Sequence, residues 1–169
     1  VINHEGELSI DAYRSQVFVS EAKGPLSVKN FAGKTTITKK EGDIEFKGFK
    51  GQLKIEGGEG DLKFNGMQTQ IQVNNYEGKI WGRSSQGKVS LALVGKVHLD
   101  VRSKDGDIQL KLKGSGARVN LGSKQGLIYA PSYLRLTRYA TIKVRQGNLR
   151  GSSSGRVFVR TTTGAIRLR

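Results

Sequence analysis

Cysteine is absent from this 169-residue chain, and it holds only two prolines, two histidines, one tryptophan and one methionine. The lack of cysteine excludes disulfides, thiol catalysis and Cys-ligated metals. Two prolines beside 23 glycines exclude a disordered Pro/Gly tract. No apolar run approaches the roughly 20 residues of a membrane helix, and no amphipathic helical stretch stands out. There is no P-loop, dinucleotide fingerprint or zinc-helix motif. Of the two histidines, His98 shares one side of a strand with Asp100, but a Ser-His-Asp site needs a third partner and His98 reads as a surface residue. The chain opens on Val1 rather than Met, as expected of a processed or partial chain, so a missing signal peptide says nothing about export.

What is present is a beat of nine residues. Apolar residues fall at Leu8, Val17, Leu26, Ile44, Leu53, Leu62, Ile71, Ile80 and Val89, with Thr35 on the one missing beat. A second apolar residue follows two places on at Ile10, Val19, Val28, Ile37, Phe46, Ile55, Phe64, Val73 and Leu91, and a glycine usually precedes the pair. Apolar–polar–apolar alternation is the mark of a strand buried on one face. The preceding glycine suits a corner of positive φ. A short fixed period marks a repeat architecture whose units bury their apolar pairs only by stacking. The expected fold is therefore all-β, a single β-solenoid over residues 1–169. It is regular over 1–91, then looser, and strongly basic over 108–169. The competing reading is an antiparallel meander, for which Asp105-Gly106 is a hairpin-type dipeptide. Segment 126–133 is irregular, and Pro131 belongs in a corner or loop.

The net charge is +15, but residues 1–107 hold 16 Lys/Arg and 14 acids while residues 108–169 hold 13 Lys/Arg and no acid. Such asymmetry points to an anionic partner for the C-terminal part. Arginine dominates there, and its planar fork suits phosphate, sulfate or carboxylate. Residues between the two apolar places point outward: Arg135, Lys143, Arg150, Phe158 and Arg167, with Tyr129 before them. Arg145, Arg156 and Arg160 flank them. With two strands per coil, Arg135, Arg150 and Arg167 would share a face at about 4.8 Å spacing. Like charges that close repel unless an anion lies along them. Tyr129 and Phe158 are the candidate stacking residues. Corner acids such as Glu41, Asp43, Glu59, Asp61, Asp105 and Asp107 do not meet the calcium-binding nonapeptide pattern. They read as solvated turns, so no metal and no cofactor is expected.

The runs GDIEFKGFKGQLKIEGGEGDLKFNG and GRVFVRTTTGAIRLR resemble a bacterial adhesin β-helix family, a domain of unknown function, and more loosely the bactofilin β-solenoids. The first resemblance implies a right-handed β-helix and a bacterial cell-envelope or surface setting, periplasmic or extracellular. The second brings to mind polymerisation end to end. Neither supplies catalytic residues. Three functions follow as expectations. The first is a non-enzymatic binding or scaffold module holding an anionic polymer, such as a cell-wall glycan, lipopolysaccharide or nucleic acid, on its basic face. The second is a fibre or adhesin subunit that self-associates through its solenoid ends. The third is a polysaccharide lyase, for which corners of about four residues leave little room for a cleft.

Overall fold

The computed structural model describes residues 1–113, 116–149 and 155–169. Strands make up 76% of it, no helix occurs among the described residues, and the chain winds into a β-solenoid of about 6 turns. In chain order the strands are β1 (Leu8–Ala12), β2 (Ser15–Ser20), β3 (Leu26–Glu41), β4 (Ile44–Glu59), β5 (Leu62–Gln86), β6 (Val89–Ser103), β7 (Ile108–Lys113), β8 (Ala117–Ser123), β9 (Ile128–Tyr129), β10 (Arg135–Tyr139), β11 (Ile142–Asn148), β12 (Gly155–Thr161) and β13 (Ile166–Leu168). The long ones bend through corners without losing their ladder, so β5 alone carries the units that begin at Leu62, Ile71 and Ile80. All pairing from β1 to β7 is parallel, which rules out the meander. Asp105-Gly106 makes a corner between β6 and β7 rather than a hairpin.

Each of the regular coils takes 18 residues and two strand segments. Leu26 lies beside Leu8 and Ile44, and Leu53 beside Thr35 and Ile71. Like therefore stacks on like. One strip of the core is Val17, Thr35, Leu53, Ile71, Val89 and Ile108, each at most 9% exposed. Two breaks in the beat have physical causes. Thr35 is fully buried and accepts from Asn30 Nδ2 at 3.1 Å, so the missing apolar beat is half of a core polar pair. Gly82 stands where Ile80 should have an apolar partner, and the Phe64 ring from the coil before fills that space, only 2.0 Å from where a Cβ would lie. The loosening after residue 91 is a local irregularity: Ile71 pairs with Val89, but Ile80 pairs with Leu99, one residue out of step, beside Gly95 at φ 66°.

One corner of the first coils repeats a left-handed residue at every eighteenth place, Asn3, Glu21, Lys39, Gly57 and Asn75, with φ from 49° to 72°. Beneath it Lys40 is buried, and its ammonium donates to the carbonyls of Gly24 and Glu41. Burial pushes its pKa down, with Asp43 and Glu41 opposing. Two of the corner acids cap backbone amides. Asp43 accepts from the Asp61 amide at 3.0 Å and Asp107 from the Ala165 amide at 2.8 Å. Among the described residues no group of three or more His, Cys, Asp or Glu could hold a metal, and no helix is long and apolar enough to cross a membrane.

The rungs do not follow chain order at the C-terminal end. β12 pairs in parallel with β6 on one side and β8 on the other, and β13 sits between β7 and β9 in the same way. The last turn of chain is thus slotted between two earlier ones. An antiparallel pair, β10–β11, then closes the end by docking β11 on β8. Leu134 is buried there, but Leu136, two places on, is 47% exposed because β10 is the outermost strand.

Glycine corners set the coil spacing. At Gly51, φ is +133° and an added Cβ would fall 1.9 Å from the Gly33 carbonyl oxygen, whereas at Gly57, φ is +72° and nothing lies within 4 Å. Gly57→Ala should cost about 1–2 kcal/mol of left-handed strain alone, and Gly51→Ala clearly more, because the backbones must part. Urea denaturation of both variants checks this, and equal losses would show that coil contact does not depend on that glycine.

Candidate anion-binding groove

Alternation on β8, β11 and β12 sends Val119, Leu121, Val157 and Val159 inward and the residues between them outward. The parallel register of β12 and β8 then sets Arg156 directly beside Arg118, and Phe158 beside Asn120. The next strand brings Asn148 beside Arg118 and Gln146 beside Asn120, and β10 adds Arg135 beside Gln146. The result is an open groove of about 600 Å³ lined by Arg118, Arg135, Arg156, Asn120, Gln146, Gly147 and Asn148. All three guanidinium groups are exposed, and none has an ion pair among the described residues. Arg118 and Arg156 are like charges on neighbouring strands about 4.8 Å apart, an arrangement that destabilises a sheet unless an anion bridges it.

Phe158 closes one side of this grid, and its ring is already engaged. The Arg160 guanidinium lies 3.9 Å from its centroid and that of Arg102 5.6 Å away. Arg160 also donates to the Asn120 carbonyl at 3.1 Å and to Asn120 Oδ1 at 2.8 Å. Burial holds its pKa below the ordinary value, Arg102 adds to this and Asp100 opposes it; the group stays charged at any ordinary pH. Asp100 pairs with Arg102 at 3.3 Å.

Of the residues singled out from the sequence, the fold brings Arg135 and Arg156 together. Lys143 lies outside the groove, paired in register with Arg138 and Ser123. Arg145 turns toward the end of the core and donates to the Leu134 carbonyl at 3.2 Å. Arg167 is on the other strand segment of the coil, bound to Asp107 at 3.1 Å and 5.0 Å from the Tyr129 ring centre. Arg150 lies outside the described residues. Arg135 and Arg167, expected in one ladder, are not brought together: Arg135 pairs beside Gln146 on β11, and Arg167 between Gln109 and Tyr129 on the other strand segment. Arg118 was missed, although it precedes Val119 just as Arg156 precedes Val157, and equivalent places in two units stack.

The model of the Toastrack DUF4097 family matches residues 1–169. The chain belongs to that family. Toastrack DUF4097 is a domain of unknown function, so membership carries the solenoid but no ligand. No curated protein and no solved structure matches the chain. The adhesin and bactofilin likenesses thus rest on the repeat pattern alone. In this Toastrack domain the groove must be judged by its own chemistry.

Removing one of the two facing cations relieves their repulsion. Arg118→Ser should raise stability at low salt by about 0.2–1 kcal/mol, and the gain should shrink in 1 M salt, where the screening length is about 3 Å. Thermal melts at the two ionic strengths measure it. A loss of stability at low salt would mean that the arginines are satisfied without an anion.

Proposed function

We propose that this domain is a non-enzymatic binding and scaffold module of the bacterial cell envelope or surface, and that the groove of Arg118, Arg135 and Arg156 holds an anionic polymer. The observation that carries the reading is the direct pairing of Arg118 with Arg156 across neighbouring strands, in a stretch of 62 residues without an acid. Amide side chains of Asn120, Gln146 and Asn148 complete the groove and can donate to phosphate, sulfate or carboxylate oxygens. Near neutral pH a guanidinium stays charged and an amide stays neutral, and neither takes up or gives up a proton, which favours binding over lyase chemistry. Cell-wall glycan, lipopolysaccharide and nucleic acid share the chemistry the groove recognises.

The test is binding of a labelled acidic glycan, lipopolysaccharide and duplex DNA to the wild type and to an Arg118/Arg135/Arg156→Ser variant. Selective binding to one polymer, weakened at least tenfold in the variant, is the expected result. For DNA, three arginine contacts imply a slope of log K against log salt of about −2.7. Binding that ignores salt, or that the variant keeps, would sink the reading.

One observation favours self-association as a second reading. The first coil carries Glu5, Glu7 and Asp11 with Val1 and Ile2 exposed, while the outermost C-terminal strand carries Arg135 and Arg138 with Leu136 and Tyr139 exposed. Opposite charge and apolar surface at the two ends suit head-to-tail stacking. Sedimentation equilibrium should then show mass growing with concentration, and Leu136→Asp should abolish the growth. A monomer at all concentrations would remove this reading.

A further inference from the structure

The corners joining β1 to β2, and the equivalent bends within β3, β4 and β5, carry an apolar column that the polyanion reading does not use. Tyr13, Phe31, Phe49 and Met67 follow one another in successive coils, each 41–62% exposed. The rings of Tyr13 and Phe31 stack with centroids 5.0 Å apart, and those of Phe31 and Phe49 with centroids 4.9 Å apart and planes 4° from parallel. A groove of about 800 Å³ runs along one flank, floored by Ala12, Asn30 and Gly48 and walled by Lys29 and Lys47. Another, of about 420 Å³, runs along the other flank past Arg14, Ala32, Gly33 and Lys50. Hollows on both sides make the column a ridge, one side chain wide and about 14 Å long at about 4.8 Å per coil. Lys29 meets Asp11 at 3.7 Å and Lys47 meets Glu45 at 2.7 Å, but both lysines are more than half exposed, so these pairs are weak and exchangeable.

We propose that this ridge is a membrane-contact edge. The tips of Tyr13, Phe31, Phe49 and Met67 enter the headgroup level of an anionic bilayer, and Arg14, Lys29, Lys47 and Lys50 lie against lipid phosphates on either flank. Aromatic side chains favour that level, apolar insertion of about 5–10 Å is what interfacial binding requires, and flanking cations are drawn to acidic leaflets. A ridge one residue wide does not offer the roughly 800 Å² per partner of a stable protein interface. A fluid bilayer closes around both flanks and fills the hollows that a rigid partner would leave.

Co-sedimentation with vesicles of 70:30 phosphatidylcholine and phosphatidylglycerol, and with pure phosphatidylcholine, tests the proposal. The wild type should bind the acidic vesicles in 50 mM salt and bind the neutral ones at least tenfold less. Phe31→Ser/Phe49→Ser should weaken binding at least tenfold with an unchanged circular dichroism spectrum. The Arg118/Arg135/Arg156→Ser variant should retain it, which separates this edge from the groove. As a second readout, emission from a Phe49→Trp/Trp81→Phe protein should shift to the blue on the acidic vesicles. Absence of binding, binding kept by the Phe31/Phe49 variant, or unshifted emission would each overturn the proposal. So would a vesicle-free dimer that the Phe31/Phe49 variant abolishes, since the ridge would then serve a second copy of the chain.

Discussion

In the regular coils each strand residue pairs in parallel with the residue 18 places away, so Leu26 meets Ile44 and Ile44 meets Leu62 in strict register. Parallel pairing of this kind turns chain position into column membership. A residue's neighbours above and below are fixed by arithmetic, and one side chain that fails to fit its column disturbs two coils. Glycine keeps the register at the corners. Gly33, Gly51 and Gly78 bring a backbone carbonyl of the coil before to within 1.9–2.2 Å of where a Cβ would be. Apolar columns close into one core as a consequence, and the few polar intruders are managed locally, Thr35 by Asn30 and Lys40 by two carbonyls.

The same arithmetic governs charge. In the first coils it sets some opposite charges side by side, as in Lys39 on Glu21 at 2.8 Å and Lys23 on Glu41 at 3.5 Å, and some like charges, as in Lys29 beside Lys47 and Glu59 between Glu41 and Glu77. Such pairs hold Glu21 below the ordinary carboxylate value, chiefly through the Lys39 hydrogen bond. In the last coils there are no acids of their own to alternate with. Arg83, Arg102 and Arg160 fall in one column and Arg118 and Arg156 in another. The first is relieved by the Phe158 ring and by Asp100 and Asn120. The second has no such relief among the described residues, which is why the groove rather than the whole basic half stands out.

The two edges proposed for binding differ in kind. The groove is polar and lined from β8, β10, β11 and β12, whose order in the sheet is not their order in the chain. The aromatic ridge is apolar, convex and built by one corner repeated through consecutive coils. A domain with both could hold a polymer on one surface while its other end rests against a bilayer.

Strand identity was legible in the residues themselves. Alternation at Leu53/Ile55 or Ile71/Val73 admits only a strand buried on one face, and the glycine before each pair marks the corner, because these are local properties of the backbone. The nine-residue beat allowed coils of two or of three strands, and the parallel register chose two, the observed 18-residue turn. Column neighbours in the regular part follow from it, the Tyr13–Phe31–Phe49 stack included. Only the tertiary structure decided the order of the last rungs. A strand such as Val157–Val159 presents the same alternating face whether it stacks on β6, on β8 or between them, so nothing local distinguishes these places. The choice is made by which arrangement buries the most apolar surface and satisfies both strand edges. That choice put Arg156 beside Arg118, separated Arg135 from Arg167, and thereby made the groove.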